Sequence, residues 1–255
     1  MVHFVGAGPG APDLITLRGA QLLQKADCII YAGSLVNPAL LDMAGEDCEI
    51  HNSAVMTLEQ VLEVMCRMEA AGKETVRLHT GDASLFGAVR EQMDALDSRG
   101  IAYDSTPGVS SFCGAASSIN VEYTLPGVSQ SLIITRMAGR TPVPEKERLA
   151  SMAEHQASMV LFLSSGLLDE VQEELLRGGY PQDTPAAVVY KATWPDERII
   201  RCTVGTLAQV GAQEGIRKTA LLLIGDFLDS CYERSRLYDP SFTTEFRQAD
   251  SPEHP

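Results

Sequence analysis

The chain reads as an α/β protein of two α/β domains, the first a mainly parallel sheet with flanking helices, the second a mixed sheet with helices. Three observations predict this. Short apolar, strand-like runs alternate with helical patterns of period 3.6 over the first half. The alternation pauses at Leu125-Pro126-Gly127 and restarts with a new strand at Leu132. Tyr190 to Arg201, with Trp194-Pro195-Asp196-Glu197 near its centre, has the form of a hairpin, which a purely parallel sheet does not contain. The division that follows is a first domain over 1–122, a second over 123–240, and a polar, Pro-capped tail over 241–255 expected to be disordered. At 255 residues there is room for two modest cores.

The first strand, Val2 to Val5, runs into Gly6-Ala7-Gly8-Pro9-Gly10-Ala11-Pro12-Asp13, which has the outline of a dinucleotide fingerprint. A glycine loop grips phosphate through backbone N–H groups with a helix starting at once behind them. Pro9 and Pro12 have no N–H to offer. The helix starts later, where Thr16 caps Leu17 to Lys25 and Leu22, Leu23 and Ala26 fall on one face. The second strand, Cys28 to Tyr31, continues into Ala32-Gly33-Ser34 without the acid that would hold a ribose. The loop is therefore sharp and extended, with room for a ligand and little hold on a pyrophosphate.

Further on, Leu58, Val61, Leu62, Met65 and Met68 form the apolar stripe of a helix from Thr57 to Ala71, closed by Gly72. Thr75 to His79 and Ala102 to Ser105 are the third and fourth strands. The second half reads as strands at Leu132 to Thr135 and Met159 to Leu163, a helix at Leu167 to Arg177, and strands at Ala186 to Tyr190 and Ile199 to Thr203. A helix at Thr206 to Ala212 and a strand at Ala220 to Ile224 complete it.

Charge and composition narrow the function. The net charge of −14 argues against nucleic acid or an anionic membrane as partner, so an anionic ligand must be met by local arginines. The cysteines Cys28, Cys48, Cys66, Cys113, Cys202 and Cys231 form no C-x-x-C pair and read as buried free thiols. The histidines lack metal-ligand spacing, and no catalytic metal is expected. No apolar run reaches the roughly 20 residues of a membrane span, and the first residues enter a strand directly, so the cytoplasm is the expected location.

Ligands of open α/β sheets sit beyond the carboxyl ends of the strands. Besides the Gly/Pro loop, Thr80-Gly81-Asp82-Ala83-Ser84-Leu85-Phe86-Gly87 and Pro107-Gly108-Val109-Ser110-Ser111 occupy that place. Asp82 could meet a cationic group there. Alternatively Asp82 or Ser84 caps a helix beginning near Leu85, and Ser110 or Ser111 one beginning near Phe112. His79 lies nearby and reads as a structural histidine with satisfied nitrogens. In Thr135-Arg136-Met137-Ala138-Gly139-Arg140-Thr141-Pro142-Val143-Pro144-Glu145, the two arginines either grip ligand carboxylates or offset Glu145 and Glu147. The chain holds no G-x-S-x-G elbow, Walker A motif or H-E-x-x-H pair.

Together these loops resemble the tetrapyrrole methylase family, the S-adenosylmethionine-dependent enzymes that methylate the macrocycle in cobalamin and sirohaem synthesis. The match runs from Val5-Gly6-Ala7-Gly8-Pro9-Gly10 through Gly81-Asp82-Ala83-Ser84 and Pro107 to Ser111, as far as Ala220-Leu221-Leu222-Leu223-Ile224-Gly225. Tyr31-Ala32-Gly33-Ser34-Leu35-Val36, the arginine loop and Tyr190-Lys191-Ala192-Thr193-Trp194-Pro195 look like its precorrin-4 C11-methyltransferase branch. Ala83 departs from the proline usual after Gly-Asp. The resemblance implies a cofactor cleft between the two domains, usually in a homodimer. It implies cofactor contacts at Pro9, Thr80, Gly81, Asp82, Leu85, Ser110, Ser111, Ser165, Ala192, Thr219 and Ala220. Asp82 is also the candidate catalytic group, by favouring the cofactor's positive charge, and Arg136 and Arg140 are candidates for the substrate's acidic arms. The substrate the resemblance implies is a tetrapyrrole, with cobalt-precorrin-4 favoured over the metal-free form. A nicotinamide-dependent oxidoreductase and a nucleoside-binding protein without turnover are the alternatives from other classes.

Overall fold

A computed structural model describes residues 1–229 and 232–249. The chain forms two compact units, Met1–Ile119 with Val189–Arg198, and Asn120–Val188 with the chain from Ile199 onward. The segment Val189–Arg198 thus clusters with residues that lie far before it in the sequence.

In the first unit, β1 (Val2–Gly6), β2 (Cys28–Tyr31), β3 (Glu49–Asn52), β4 (Thr75–His79) and β5 (Tyr103–Thr106) form a sheet of order β3-β2-β4-β1-β5. Every neighbouring pair is parallel, with Gly6 beside His79 and Val5 beside Thr106. All carboxyl ends therefore lie on one edge, and the loops after β1, β4 and β5 emerge side by side. The helices are α1 (Leu17–Lys25), α2 (Leu58–Ala70), α3 (Arg90–Asp97) and α4 (Ser111–Ile119). Thr16 caps α1 as expected, its side chain accepting the Gly19 N–H, and Thr57 and Gln60 form a reciprocal capping box at α2.

Successive strand residues face opposite sides. Val2, Phe4, Cys28 and Ile30 pack with Val61, Leu62, Met65, Met68 and Leu96 on one face, while Val5, Ile29, Val76 and Leu78 pack with Leu23 on the other. A parallel sheet covered on both faces buries even the polar residues of its central strand, and β4 is buried throughout although it carries Arg77 and His79.

The second unit has its sheet in the order β6-β7-β10-β8-β9. Its elements are β6 (Leu132–Arg136), α5 (Leu149–Ala153), β7 (Ser158–Phe162), α6 (Leu168–Arg177), β8 (Pro185–Tyr190), β9 (Arg198–Thr203), α7 (Leu207–Glu214) and β10 (Ala220–Ile224). β6 and β7 are parallel and β7 and β10 antiparallel, so this sheet is mixed, as the sequence predicts.

Three departures have physical reasons. The strand β3 is a half-exposed edge whose Glu-Ile-His-Asn sequence shows no apolar pattern. The helix expected near Leu85 does not form: Phe86 and Ala88 are left-handed, at φ 56° and 49°, and the helix starts at Arg90 instead. The free thiols are not all buried, since Cys113 is exposed on α4. In the tail, residues 241–249 form turns in which the Arg247 guanidinium donates to the carbonyls of Leu237 (3.1 Å) and Asp239 (2.7 Å). Residues 250–255 and Cys231 lie outside the described residues. Among the described residues no helix is long and apolar enough to cross a membrane.

Candidate functional site

Three glycines at the strand ends bring the loops of the first unit into backbone contact. A Cβ placed on Gly108 would stand 2.1 Å from the carbonyl oxygen of Gly81 and 2.7 Å from the Gly6 Cα. No residue with a side chain fits at that point. Gly8 and Gly81, both at positive φ (81° and 59°), exchange backbone hydrogen bonds, Gly8 N–H to Gly81 O at 3.2 Å and Gly81 N–H to Gly8 O at 2.9 Å. The first and second loops are thereby zipped together.

Asp82 adds the third loop. Its Oδ2 accepts the Gly108 N–H at 2.8 Å, while Oδ1 accepts the Ser84 N–H at 2.9 Å and the Ser84 hydroxyl at 2.5 Å. Burial pushes this carboxyl up, but the hydrogen bonds from Ser84 and Gly108 outweigh it and hold Asp82 below its ordinary value. Among the described residues it has no cationic partner, and it caps no helix at Leu85. It is a clamp between loops.

The proline loop is held from two sides. α4 lies against Pro9 so closely that a Cβ on Gly114 would come within 2.5 Å of the proline's own Cβ. From the segment between β8 and β9, the Trp194 indole N–H donates to the Pro9 carbonyl at 3.3 Å, and Thr193 Oγ1 accepts the Ala11 N–H at 3.0 Å. Glu197 Oε2 accepts both the Thr193 N–H (2.6 Å) and the Ser118 hydroxyl (2.5 Å), which ties this segment to α4. Lys191 and Thr193 are left-handed, at φ 47° and 68°, and they flank the buried Ala192. Of the amides between Gly8 and Asp13, those of Gly8 and Ala11 are thus committed, and Pro9 and Pro12 have none.

Pro9, Thr80, Gly81, Asp82, Ser110, Ser111 and Ala192 gather around these loops within the first unit. The N-terminus of α4 abuts Gly81, where an added Cβ would lie 3.2 Å from the Ser111 nitrogen and 3.5 Å from the Ser110 Cα. Leu85 closes a turn by donating its N–H to the Asp82 carbonyl at 3.2 Å. His79 departs from expectation: it is buried, yet its Nε2 has no hydrogen-bond partner among the described residues. Burial, with the nearby Arg77 charge, drives its pKa down to about 3, so the ring is neutral at physiological pH.

Within the second unit, Arg136, Ser165, Thr219 and Ala220 lie at one end of the sheet. The β7–β10 register, with Leu161 opposite Leu222, sets the Leu163-Ser164-Ser165 turn next to Thr219-Ala220. Met137 N–H donates to Ser164 Oγ at 2.8 Å and brings the arginine loop to the same turn. Arg136 is consumed locally, donating to the carbonyls of Met137 (3.3 Å), Thr141 (3.1 Å) and Pro142 (2.6 Å). Arg140 is exposed and makes no hydrogen bond or ion pair among the described residues, and Glu145 pairs with Arg148 at 2.9 Å. Gly6, Gly108, Thr193, Trp194 and Glu197 hold these loops together and lie outside the candidate residues. The signal for Gly6 and Gly108 was their place at the last turn of a strand.

The profile of the Tetrapyrrole (Corrin/Porphyrin) Methylases matches residues 1–208. The cobalt-precorrin-4 C(11)-methyltransferase of Methanocaldococcus jannaschii is 50% identical over 249 residues, 97% of this chain and 96% of that protein. The precorrin-4 C(11)-methyltransferase of a Sinorhizobium species is 44% identical, covering 96% of this chain and 98% of its own. Among solved structures, a cobalt precorrin-4 methyltransferase superposes with a TM-score of 0.88 at 45% identity, over 90% of this chain and 96% of that one. With the converged glycine loops and the mixed second sheet, these similarities establish that the chain belongs to the tetrapyrrole (corrin/porphyrin) methylase family.

Proposed function

We propose that the protein is an S-adenosylmethionine-dependent methyltransferase acting on C11 of cobalt-precorrin-4, with the cobalt belonging to the substrate. The observation that carries this reading is 50% identity over 97% of the chain with an enzyme of that name. The 44% identity to a precorrin-4 C(11)-methyltransferase supports the metal-free substrate as the second reading.

The residues present fit the cofactor. The strand-end loops of the first unit are packed backbone to backbone at Gly6, Gly81 and Gly108, and the Gly/Pro loop has no N–H at Pro9 or Pro12 and has those of Gly8 and Ala11 committed within the chain. Both features suit a nucleoside bearing a sulfonium in place of a pyrophosphate. Pro9, Thr80, Gly81, Asp82, Leu85, Ser110, Ser111 and Ala192 are the proposed contacts of the first unit, and Ser165, Thr219 and Ala220 those of the second.

When bound, the cofactor supplies an activated methyl group to a carbon nucleophile by in-line displacement. The chain's own part is alignment, which is worth several kcal/mol of barrier in such reactions. Asp82 contributes by locking the loops after β4 and β5 together. Arg136 shapes its loop, and Arg140 is the guanidinium free to fork onto a substrate carboxylate. The working form on this reading is a cytoplasmic homodimer.

Incubation with S-adenosylmethionine and either tetrapyrrole, followed by mass spectrometry, tests the reading. The expected result is gain of one methyl group, faster on cobalt-precorrin-4. Calorimetric binding of NADH in place of S-adenosylhomocysteine would overturn it.

A further inference from the structure

Arg77 is a buried cation on a central strand, 5% exposed, without a carboxylate partner among the described residues. It donates from Nε to Gln92 Oε1 at 3.0 Å and from Nη1 to the Ile30 carbonyl at 3.0 Å. Gln92, on the first turn of α3, is buried as well and passes the connection on, its Nε2 donating to the Ala88 carbonyl at 3.0 Å. A guanidinium only donates and a carbonyl only accepts, so the group that joins them must do both from one end. A carboxamide does this; a carboxylate cannot.

The far end of this relay is a strained loop. Phe86 and Ala88 are left-handed, which non-glycine residues do not adopt unaided. The same loop begins with Asp82, the clamp onto Gly108, and includes Leu85. We propose that Gln92 is a positioning residue for the methyl-transfer site: its carboxamide uses the buried Arg77 as an anchor to hold the loop over 83–89 in the form that presents Asp82 and Leu85. This rests on the assignment of Thr80, Gly81, Asp82 and Leu85 as cofactor contacts.

Gln92→Glu is the discriminating variant. It keeps the acceptor for Arg77 and gives that cation a counter-charge, but it sets oxygen against the Ala88 carbonyl. The expected result is an undiminished melting temperature, faster deuterium uptake at the amides of 83–89, and roughly tenfold weaker binding of S-adenosylhomocysteine by calorimetry. Adding Ala88→Gly should restore affinity to within about threefold, because glycine takes the left-handed conformation without support. Unchanged uptake at 83–89 in Gln92→Glu, or affinity within about twofold of wild type, would overturn the proposal. Gln92→Met, close in shape and unable to donate, takes the place of Gln92→Glu should the latter unfold; it also strips Arg77 Nε of its acceptor and lowers the melting temperature, so uptake at 83–89 and affinity are its two readouts, with the same outcomes. If the wild-type protein fails to bind S-adenosylhomocysteine, it is the cofactor assignment that falls, and the uptake contrast still reports whether the relay holds the loop.

Discussion

Asp82 Oδ2 accepts the Gly108 N–H at 2.8 Å, so one carboxylate joins the loop after β4 to the loop after β5. Its other oxygen is held by Ser84, and an amide at this position could satisfy only one of the two sides. Asp82→Asn should lower stability by about 1–2 kcal/mol and weaken S-adenosylhomocysteine binding more than it lowers the melting temperature. Because the folded carboxyl lies below its ordinary value, the clamp's contribution is complete above the unfolded pKa and is lost as pH falls through the lower, folded one. Affinity measured between pH 5 and 8 should therefore show no Asp82 titration, with loss setting in only below about pH 4. A titration of binding centred near pH 6 that vanished in Asp82→Asn would contradict the clamp.

The glycine contacts make a sharper prediction. At Gly108 an added methyl meets two backbones, Gly81 and Gly6, neither of which can swing aside. Gly108→Ala should cost more than about 3 kcal/mol or prevent folding, beyond ordinary overpacking. Gly45→Ala is the matched control, since nothing lies within 4 Å of its added Cβ, and it should stay within about 0.5 kcal/mol of wild type. Chemical denaturation of both variants checks the pair. Equal effects would mean that the strand tips are not in contact.

Legibility from sequence followed the physical origin of each feature. The apolar runs Cys28–Tyr31 and Ala220–Ile224 and the capped helix Leu17–Lys25 were placed to the residue, because burial and capping leave local signatures. The edge strand Glu49–Asn52 was invisible, as half-exposed pairing needs no apolar pattern. The absence of backbone donors at Pro9 and Pro12 could be read directly because a missing N–H is a property of the residue itself. The commitments of Asp82 and Arg136 could not, since both depend on which backbone groups the fold brings within reach. Trp194 reaching Pro9 across 185 positions is the extreme case.

Arg136 and Arg140 separate in the structure and should separate in solution. Arg136→Ala removes donors to three carbonyls and should loosen the loop over 137–143, seen as faster deuterium uptake there. Arg140→Ala removes no hydrogen bond or ion pair among the described residues, so its melting temperature should not change. Its apparent substrate affinity should fall about tenfold if it holds a carboxylate arm. Unaltered substrate affinity in Arg140→Ala would end that role.

His79 supplies a prediction with a defined pH window. Its Nε2 is buried without a partner among the described residues, and the folded ring resists protonation down to about pH 3, against an ordinary value of 6.5. Between those values the unfolded chain binds a proton that the folded chain does not, so stability rises with pH through this window and is lost in acid. His79→Leu deletes both the orphaned nitrogen and the proton uptake. Near pH 7 it should be neutral or stabilising, depending on how well leucine fills the site. Between pH 7 and pH 5 the difference should move in the variant's favour by on the order of 2 kcal/mol. Urea denaturation of both proteins at the two pH values measures this directly. Parallel stability curves would mean that the imidazole gains a proton or a partner in the folded protein, and the neutral ring at the end of β4 would have to be abandoned.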